Sequence, residues 1–178
     1  MARSPKPPTE DRLTKSALSY LDRYGTTTAN LRAVLQRKVW RACAALDLDP
    51  AEHEATIDAV VARCERAGLL DDARYAEARI SSERRKGRSG RRIAAVLAAK
   101  GVPTDIAERQ MRDDGVSEFA AACTAARKKR LGPWRTTDAD HARRQKEMAT
   151  LCRAGFAPSL ARRIVEAETV DALEEDAD

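Results

Sequence analysis

The feature that most constrains this chain of 178 residues is a helical pattern that recurs along nearly its whole length. Apolar residues at helical spacing follow a glycine and a polar cap, and the same positions return at an offset of 62 in sequence number: Leu31, Val34 and Leu35, then Ile93, Val96 and Leu97. Repeats of roughly this length are typical of arrays in which each helical unit packs mainly against its neighbours.

A second offset, of 54 in sequence number, relates the middle of the chain to its end. Residues 101–107 parallel residues 155–161, and Leu97 corresponds in the same way to Leu151. Three diverged copies of one unit explain both offsets, so we predict nine helices in three groups of three, over residues 14–70, 71–112 and 113–168. Aromatic residues make up only 4% of the chain, and a core of small aliphatic side chains suits close-packed helices better than sheets. The predicted fold class is therefore all-α.

The two ends of the chain differ from this body in composition. Residues 1–13 are predicted to be a disordered arm, and residues 169–178 an acidic tail. Residues 166–178 hold seven of the 28 acids and none of the 33 bases, which leaves a net charge of +12 on residues 1–165. A basic body suggests a polyanionic partner. The tail either screens that charge or is simply a solubilising end.

The sequence contains no recognisable arrangement of catalytic residues. We therefore predict no catalytic residues, no cofactor and no metal site. The cysteines are far apart and the chain has only two histidines, which argues against zinc and for reduced thiols in a core: Cys43, Cys64, Cys123 and Cys152. No apolar stretch is long enough for a membrane helix or a signal peptide, so the expected location is the cytoplasm. The paired acids at 71–72 and 113–114 are predicted to cap helices.

Two clusters of basic residues are the candidates for a binding site. The first crosses a predicted helix–turn–helix junction and comprises Arg84, Arg85, Lys86, Arg88, Arg91 and Arg92; the second comprises Arg127, Lys128, Lys129 and Arg130. Guanidinium groups bind oxyanions in a bidentate manner, so these clusters favour phosphates or an acidic protein surface. The alternative is that bases near a helix C-terminus complement the helix dipole and are otherwise solvated.

Three segments in this order resemble the RecX family of bacterial recombinase regulators. They are residues 68–78 (GLLDDARYAEA), 85–93 (RKGRSGRRI) and 97–102 (LAAKGV), and residues 152–156 (CRAGF) are similar to the closing turn of the family. The resemblance covers about residues 14–168. One departure is Glu147, which stands where many members carry an apolar residue.

The resemblance implies three tandem three-helix repeats in an elongated, curved array. It also implies a monomer without enzymatic activity, which binds the RecA filament on DNA and modulates its ATPase and strand exchange in recombinational repair and the SOS response. Inhibition is the expected effect. Both basic clusters are then predicted to contact the filament or its single- or double-stranded DNA. Two other functions stay open: a helical regulator that binds DNA directly without a recombinase, and a helical scaffold whose charges are merely solvated.

Overall fold

The computed structural model describes residues 6–175, which form ten α-helices and two short 3-10 helices and contain no β-strand. The prediction of an all-α chain is confirmed. The α-helices are α1 (Glu10–Leu21), α2 (Thr28–Leu46), α3 (Glu54–Arg66), α4 (Asp72–Arg85), α5 (Gly90–Ala99), α6 (Thr104–Asp113), α7 (Glu118–Lys129), α8 (His141–Arg153), α9 (Pro158–Glu166) and α10 (Asp171–Glu175). α1 begins before residue 14 and α6 ends at Asp113, so helix ends and predicted group bounds do not coincide, and α10 is additional to the nine predicted helices.

The described residues divide into two compact units: residues 6–76 with 98–106, and residues 77–97 with 107–175. This division runs through the middle repeat that was expected over 71–112, so the repeat boundaries stay a prediction. In the first unit α1, α2 and α3 pack against one another. Their buried faces carry aliphatic residues and two cysteines: Leu13, Ala17, Leu31, Leu35, Val39, Cys43, Ile57, Val60, Val61 and Cys64.

The second unit has a core in which α7, α8 and α9 pack against one another. The buried face of α7 consists of four alanines, Ala121, Ala122, Ala125 and Ala126. Leu151, Phe156, Ile164 and Val165 supply the larger side chains of this core. Small side chains along α7 allow other backbone segments to approach it closely, which matters for the site described below.

Helix starts follow the predicted polar caps in most cases. Thr27 accepts from the backbone N–H of Asn30 at the start of α2, and Asp71 accepts from that of Arg74 at the start of α4. Asp49 accepts from the backbone N–H of Ala51 and begins a 3-10 helix, Pro50–His53, that leads into α3. Each cap satisfies a backbone donor that lacks a partner within the helix.

The predictions for the two ends need correction. The arm expected over residues 1–13 is helical from Glu10 onward, because Leu13 is a core residue that draws the last part of this segment into α1; residues 1–5 lie outside the described range. In the tail, α10 places Leu173 in the core of the second unit, where burial of its apolar side chain holds this short helix. Residues 176–178 lie outside the described range.

The internal repeat appears in the structure as a junction that occurs once in each unit. In the first unit Thr27 Oγ1, besides capping α2, donates a hydrogen bond to the carbonyl of Lys100. In the second unit Ser89 Oγ accepts from the N–H of Arg92 at 3.3 Å and donates to the carbonyl of Ala154 at 2.8 Å. The first offset relates Thr27 to Ser89 and the second relates Lys100 to Ala154, so both offsets meet in this contact.

A carboxylate completes each junction. Asp72 accepts from the backbone N–H of Thr28 at 2.8 Å in the first unit. Glu118 accepts from the backbone N–H of Gly90 at 3.0 Å in the second. Both acids stand at the first position of the following helix group, and both reach the first residue of a helix from the preceding group. Each junction thus satisfies one backbone donor of a helix start with the helix's own hydroxyl and a second with a carboxylate from another helix.

We expect Ser89→Ala to cost about 2 kcal/mol of unfolding free energy, because it removes a cap and leaves a partly buried carbonyl without its donor. Ser117→Ala is the matched control, since Ser117 is exposed and only caps α7. The control should cost about 1 kcal/mol. Urea unfolding measures both, and equal losses would contradict a double role for Ser89.

Candidate polyanion-binding site

The first basic cluster is organised around Glu83, a buried carboxylate near the end of α4. Its side chain is only 8% exposed and receives three cations. Lys86 Nζ lies 2.7 Å from Glu83 Oε1, Arg79 Nη2 lies 3.4 Å from the same oxygen, and Arg88 Nε lies 3.7 Å from Oε2. The hydrogen bond from Lys86 lowers the pKa of Glu83, and the charges of Arg79, Lys86 and Arg88 lower it further against the opposite effect of burial. This acid therefore stays ionised and fixes cations that would otherwise be mobile.

Arg84 has a different environment from its neighbours. Its side chain is 6% exposed and makes ion pairs with Asp114 at 3.1 Å and with Glu118 at 2.7 Å. It also donates to the carbonyl of Arg88. A guanidinium so placed is not accessible to an external phosphate, so the structure does not support Arg84 as a contact residue.

The acids at 113–114 were predicted to cap a helix. This prediction is wrong for Asp114, because its carboxylate pairs with Arg84 while Ser117 caps the next helix.

The turn between α4 and α5 packs directly on α7. Gly87 is buried there, with φ of 74°, and a β-carbon at this position would lie 2.7 Å from the backbone nitrogen of Ala125. Lys128 Nζ on α7 in turn donates to the carbonyl of Arg85 at 3.0 Å. The absence of a side chain at residue 87 and the alanine face of α7 thus bring the two basic clusters together, although α5 and α6 separate them in sequence.

Together these elements form a groove of about 230 Å³, here called the basic groove. Its floor is Gly87, Ala125 and Ala154, and its cationic walls are Lys86, Arg88, Lys128 and Lys129. The side chains of Lys86 and Arg88 are half-exposed although both contact Glu83. Four cations around an apolar floor match a phosphate backbone or a carboxylate-bearing surface, because the walls supply donors and the floor admits close approach.

A second cationic groove, of about 410 Å³, begins at Lys129 and Arg130 and includes two bases of α8, Arg143 and Lys146. The sequence analysis missed both. A signal was present, since residues 141–146 carry three bases and no acid, but their spacing does not continue either basic cluster.

The remaining predicted site residues are exposed and make no ion pair within residues 6–175; they are Arg85, Arg91, Arg92 and Arg127. The structure does not place them in the basic groove.

Glu147, the departure from the family pattern, is a buried acid with a structural role. It accepts from the backbone N–H of Gly132 at 3.1 Å and pairs with Arg135 at 2.9 Å and with Arg143 at 3.5 Å. Arg135 also donates to the carbonyl of Val165. These partners compensate the cost of burying a carboxylate where an apolar side chain was expected.

Within residues 6–175 no three His, Cys, Asp or Glu side chains come together in a way that could hold a metal ion. The described helices include none with the length and hydrophobicity needed to cross a bilayer. No disulfide joins the cysteines of residues 6–175; two are buried in the first unit and two are partly buried in the second.

Comparisons with known proteins agree on one family. Residues 71–110 match the family model described as RecX, second three-helix domain. The regulatory protein RecX of Myxococcus xanthus is 40% identical over 157 residues, which span 86% of this chain and 84% of that protein. The regulatory protein RecX of Agrobacterium fabrum is 31% identical over 88% of this chain and 83% of its own length.

The fold is also similar to a solved structure. The crystal structure of RecX from Lactobacillus salivarius superimposes with a TM-score of 0.69 and covers 93% of this chain and 97% of that one. The sequence identity in this superposition is 19%, so this likeness concerns the fold alone.

Replacing Glu83 with glutamine should destabilise the chain near neutral pH by about 1–2 kcal/mol, because the three cations lose their counter-charge. The folded pKa of Glu83 lies below its ordinary value of 4.5, so the ionised carboxylate stabilises the fold above that value. This contribution is lost as pH falls through the folded pKa, where wild type and variant should converge.

Urea unfolding at neutral and at strongly acid pH measures this difference. Glu77→Gln is the control, since Glu77 lies exposed on the same helix and makes no ion pair within the described residues. A loss for Glu83→Gln that persists unchanged in acid would show that packing, rather than charge, is responsible.

Proposed function

The chain belongs to the RecX family of regulatory proteins, and from this premise we propose that it binds the RecA filament on DNA and lowers its ATPase and strand-exchange activity. In the cell this would make it a cytoplasmic regulator of recombinational DNA repair and of the SOS response. It would act as a monomer, by binding rather than by catalysis. The observation that carries the proposal beyond the family name is the basic groove.

The charges of the basic groove support a polyanionic target. Lys86 and Arg88 come from the turn after α4, and Lys128 and Lys129 come from the end of α7. Two segments that are remote in sequence therefore present their cations to one volume, whereas bases that only complement a helix dipole need not converge. A filament of recombinase on DNA offers such a target, since its nucleic acid carries phosphates in a regular array.

The basic groove also keeps a second function open, that of a helical regulator which binds DNA directly. A cationic groove can bind the phosphates of DNA whether or not the recombinase is bound to it. The two functions differ in whether the recombinase is needed. Salt-sensitive DNA binding that is equally tight with and without the recombinase would favour the second.

The direct test is ATP hydrolysis by RecA on single-stranded DNA, with this protein added below one copy per recombinase subunit. We expect the hydrolysis rate to fall, because a copy bound along the filament affects the subunits that it contacts. An unchanged rate at equimolar protein, with helicity verified by circular dichroism, would contradict the proposal and favour direct DNA binding.

The contribution of the basic groove can be measured with the double variant Lys128→Glu/Lys129→Glu. We expect its affinity for the filament to fall about tenfold or more, which corresponds to ~1.4 kcal/mol, because two attractive charges become repulsive. Lys15→Glu/Arg66→Glu changes the net charge equally at exposed positions of α1 and α3 and should leave the affinity nearly unchanged. Equal losses for both double variants would indicate that only the overall charge matters.

A further inference from the structure

The most exposed large apolar side chain among the described residues is Trp40, on α2 of the first unit. It is 65% exposed, although tryptophan normally buries most of its large ring. Its neighbours one helical turn away do not form an apolar patch with it, since Gln36 and Arg37 are polar and Ala44 is small. The ring therefore stands alone on the surface and contributes nothing to the core of this unit.

Two arginines border this ring. Arg37 and Arg41 share the exposed face of α2 with Trp40, opposite the buried Leu35 and Val39. Arg41 donates only to the backbone carbonyl of Arg37, and neither guanidinium makes an ion pair within residues 6–175. This leaves two accessible cations next to an accessible indole on the same exposed helix face.

Among the described residues, no acid forms an ion pair with either of these arginines. Helix α2 contains no Asp or Glu from Thr28 to Leu46. The two acids of α3 that reach α2, Glu54 and Asp58, pair with Arg32 one turn and more before Arg37. The positive charge beside Trp40 is thus not neutralised by the element packed against this helix.

We propose that Trp40, Arg37 and Arg41 form a binding site for single-stranded nucleic acid. An unpaired base stacks on the indole, and the guanidinium groups bind phosphates of the same strand. Exposed aromatic rings bordered by cations bind single strands because every base has a π-face and every nucleotide carries a phosphate. A protein partner fits less well, because the core of a protein interface is contiguous apolar surface and the residues one helical turn from Trp40 do not provide it.

This site lies in the first unit, shares no residue with the basic groove and needs no recombinase. It therefore goes beyond the proposed function, and either can fail without the other. It also predicts a preference for strand type, since the bases of a duplex are already stacked on one another and cannot cover Trp40 without being unpaired.

The test is a fluorescence titration of the full chain with a short oligothymidylate, without recombinase and at low salt. We expect the single strand to quench the emission of Trp40. Trp40→Leu should remove this quenching and lower the affinity about fivefold or more, the range found when stacking rings are truncated. Trp40→Phe should retain part of the affinity, because a phenyl ring still stacks. Circular dichroism should be unchanged, since residue 40 is mostly exposed.

Charge is tested separately with Arg37→Gln/Arg41→Gln. If each arginine binds one phosphate, the slope of log affinity against log salt should become shallower by about 1.4, at ~0.7 per phosphate of a single strand. Lys128→Glu/Lys129→Glu, in the basic groove of the second unit, should preserve the quenching of Trp40.

Four results would overturn the proposal. The first is an absence of quenching by the oligothymidylate, and the second is quenching that persists in Trp40→Leu and so reports on Trp134. The third is quenching of Trp40 by the recombinase alone but not by the single strand, which would assign the ring to a protein interface. Equal quenching by a duplex would also reject base stacking.

Discussion

The packing of each unit depends on one hydroxyl group that forms hydrogen bonds at the start of one helix and beyond the end of another. Thr27 in the first unit and Ser89 in the second each accept from a backbone N–H at the start of one helix and donate to a backbone carbonyl beyond the end of another. Both groups that the hydroxyl satisfies are partly buried and would otherwise lack a partner within their helices. The start of one helix can therefore pack against a distant turn without the loss of a hydrogen bond. Serine and threonine suit this position because their short side chains combine an acceptor and a donor.

Close approach at these junctions also determines where charge can go. In the second unit the buried Ser89 sits two residues after Gly87, and the whole turn lies against the alanine face of α7. No long side chain fits into that contact, so the bases that surround the turn either extend into solvent or find an acid inside. Arg85 follows the first course and Arg84 the second. Packing thus divides a run of similar residues into structural and accessible ones.

This division explains what the sequence could and could not predict. The two offsets identified equivalent core positions, because helical spacing and glycine punctuation are local properties; Leu97 and Leu151 are both fully buried. Arg84 could not be distinguished from Arg85, since its two acidic partners lie beyond α5 and α6 in the chain and only tertiary structure brings them close. Leu173 was missed for a related reason, because one apolar residue among acids has no periodicity. The convergence of the two basic clusters likewise depends on a tertiary contact, the one between Gly87 and Ala125.

The buried acids suggest why the basic surface can be both stable and selective. Cations gathered at short range repel one another, and Glu83 offsets that repulsion by pairing with three of them at the edge of the basic groove. Pairing also lowers the net charge that a distant polyanion experiences, so long-range attraction comes mainly from the unpaired bases nearby, such as Arg91, Arg92 and Arg127. Lys86 and Arg88 would then act at contact distance, where their fixed positions reduce the entropy lost on binding. Glu83 thus lowers the positive potential of the surface, and at the same time it holds Lys86 and Arg88 in position for contact.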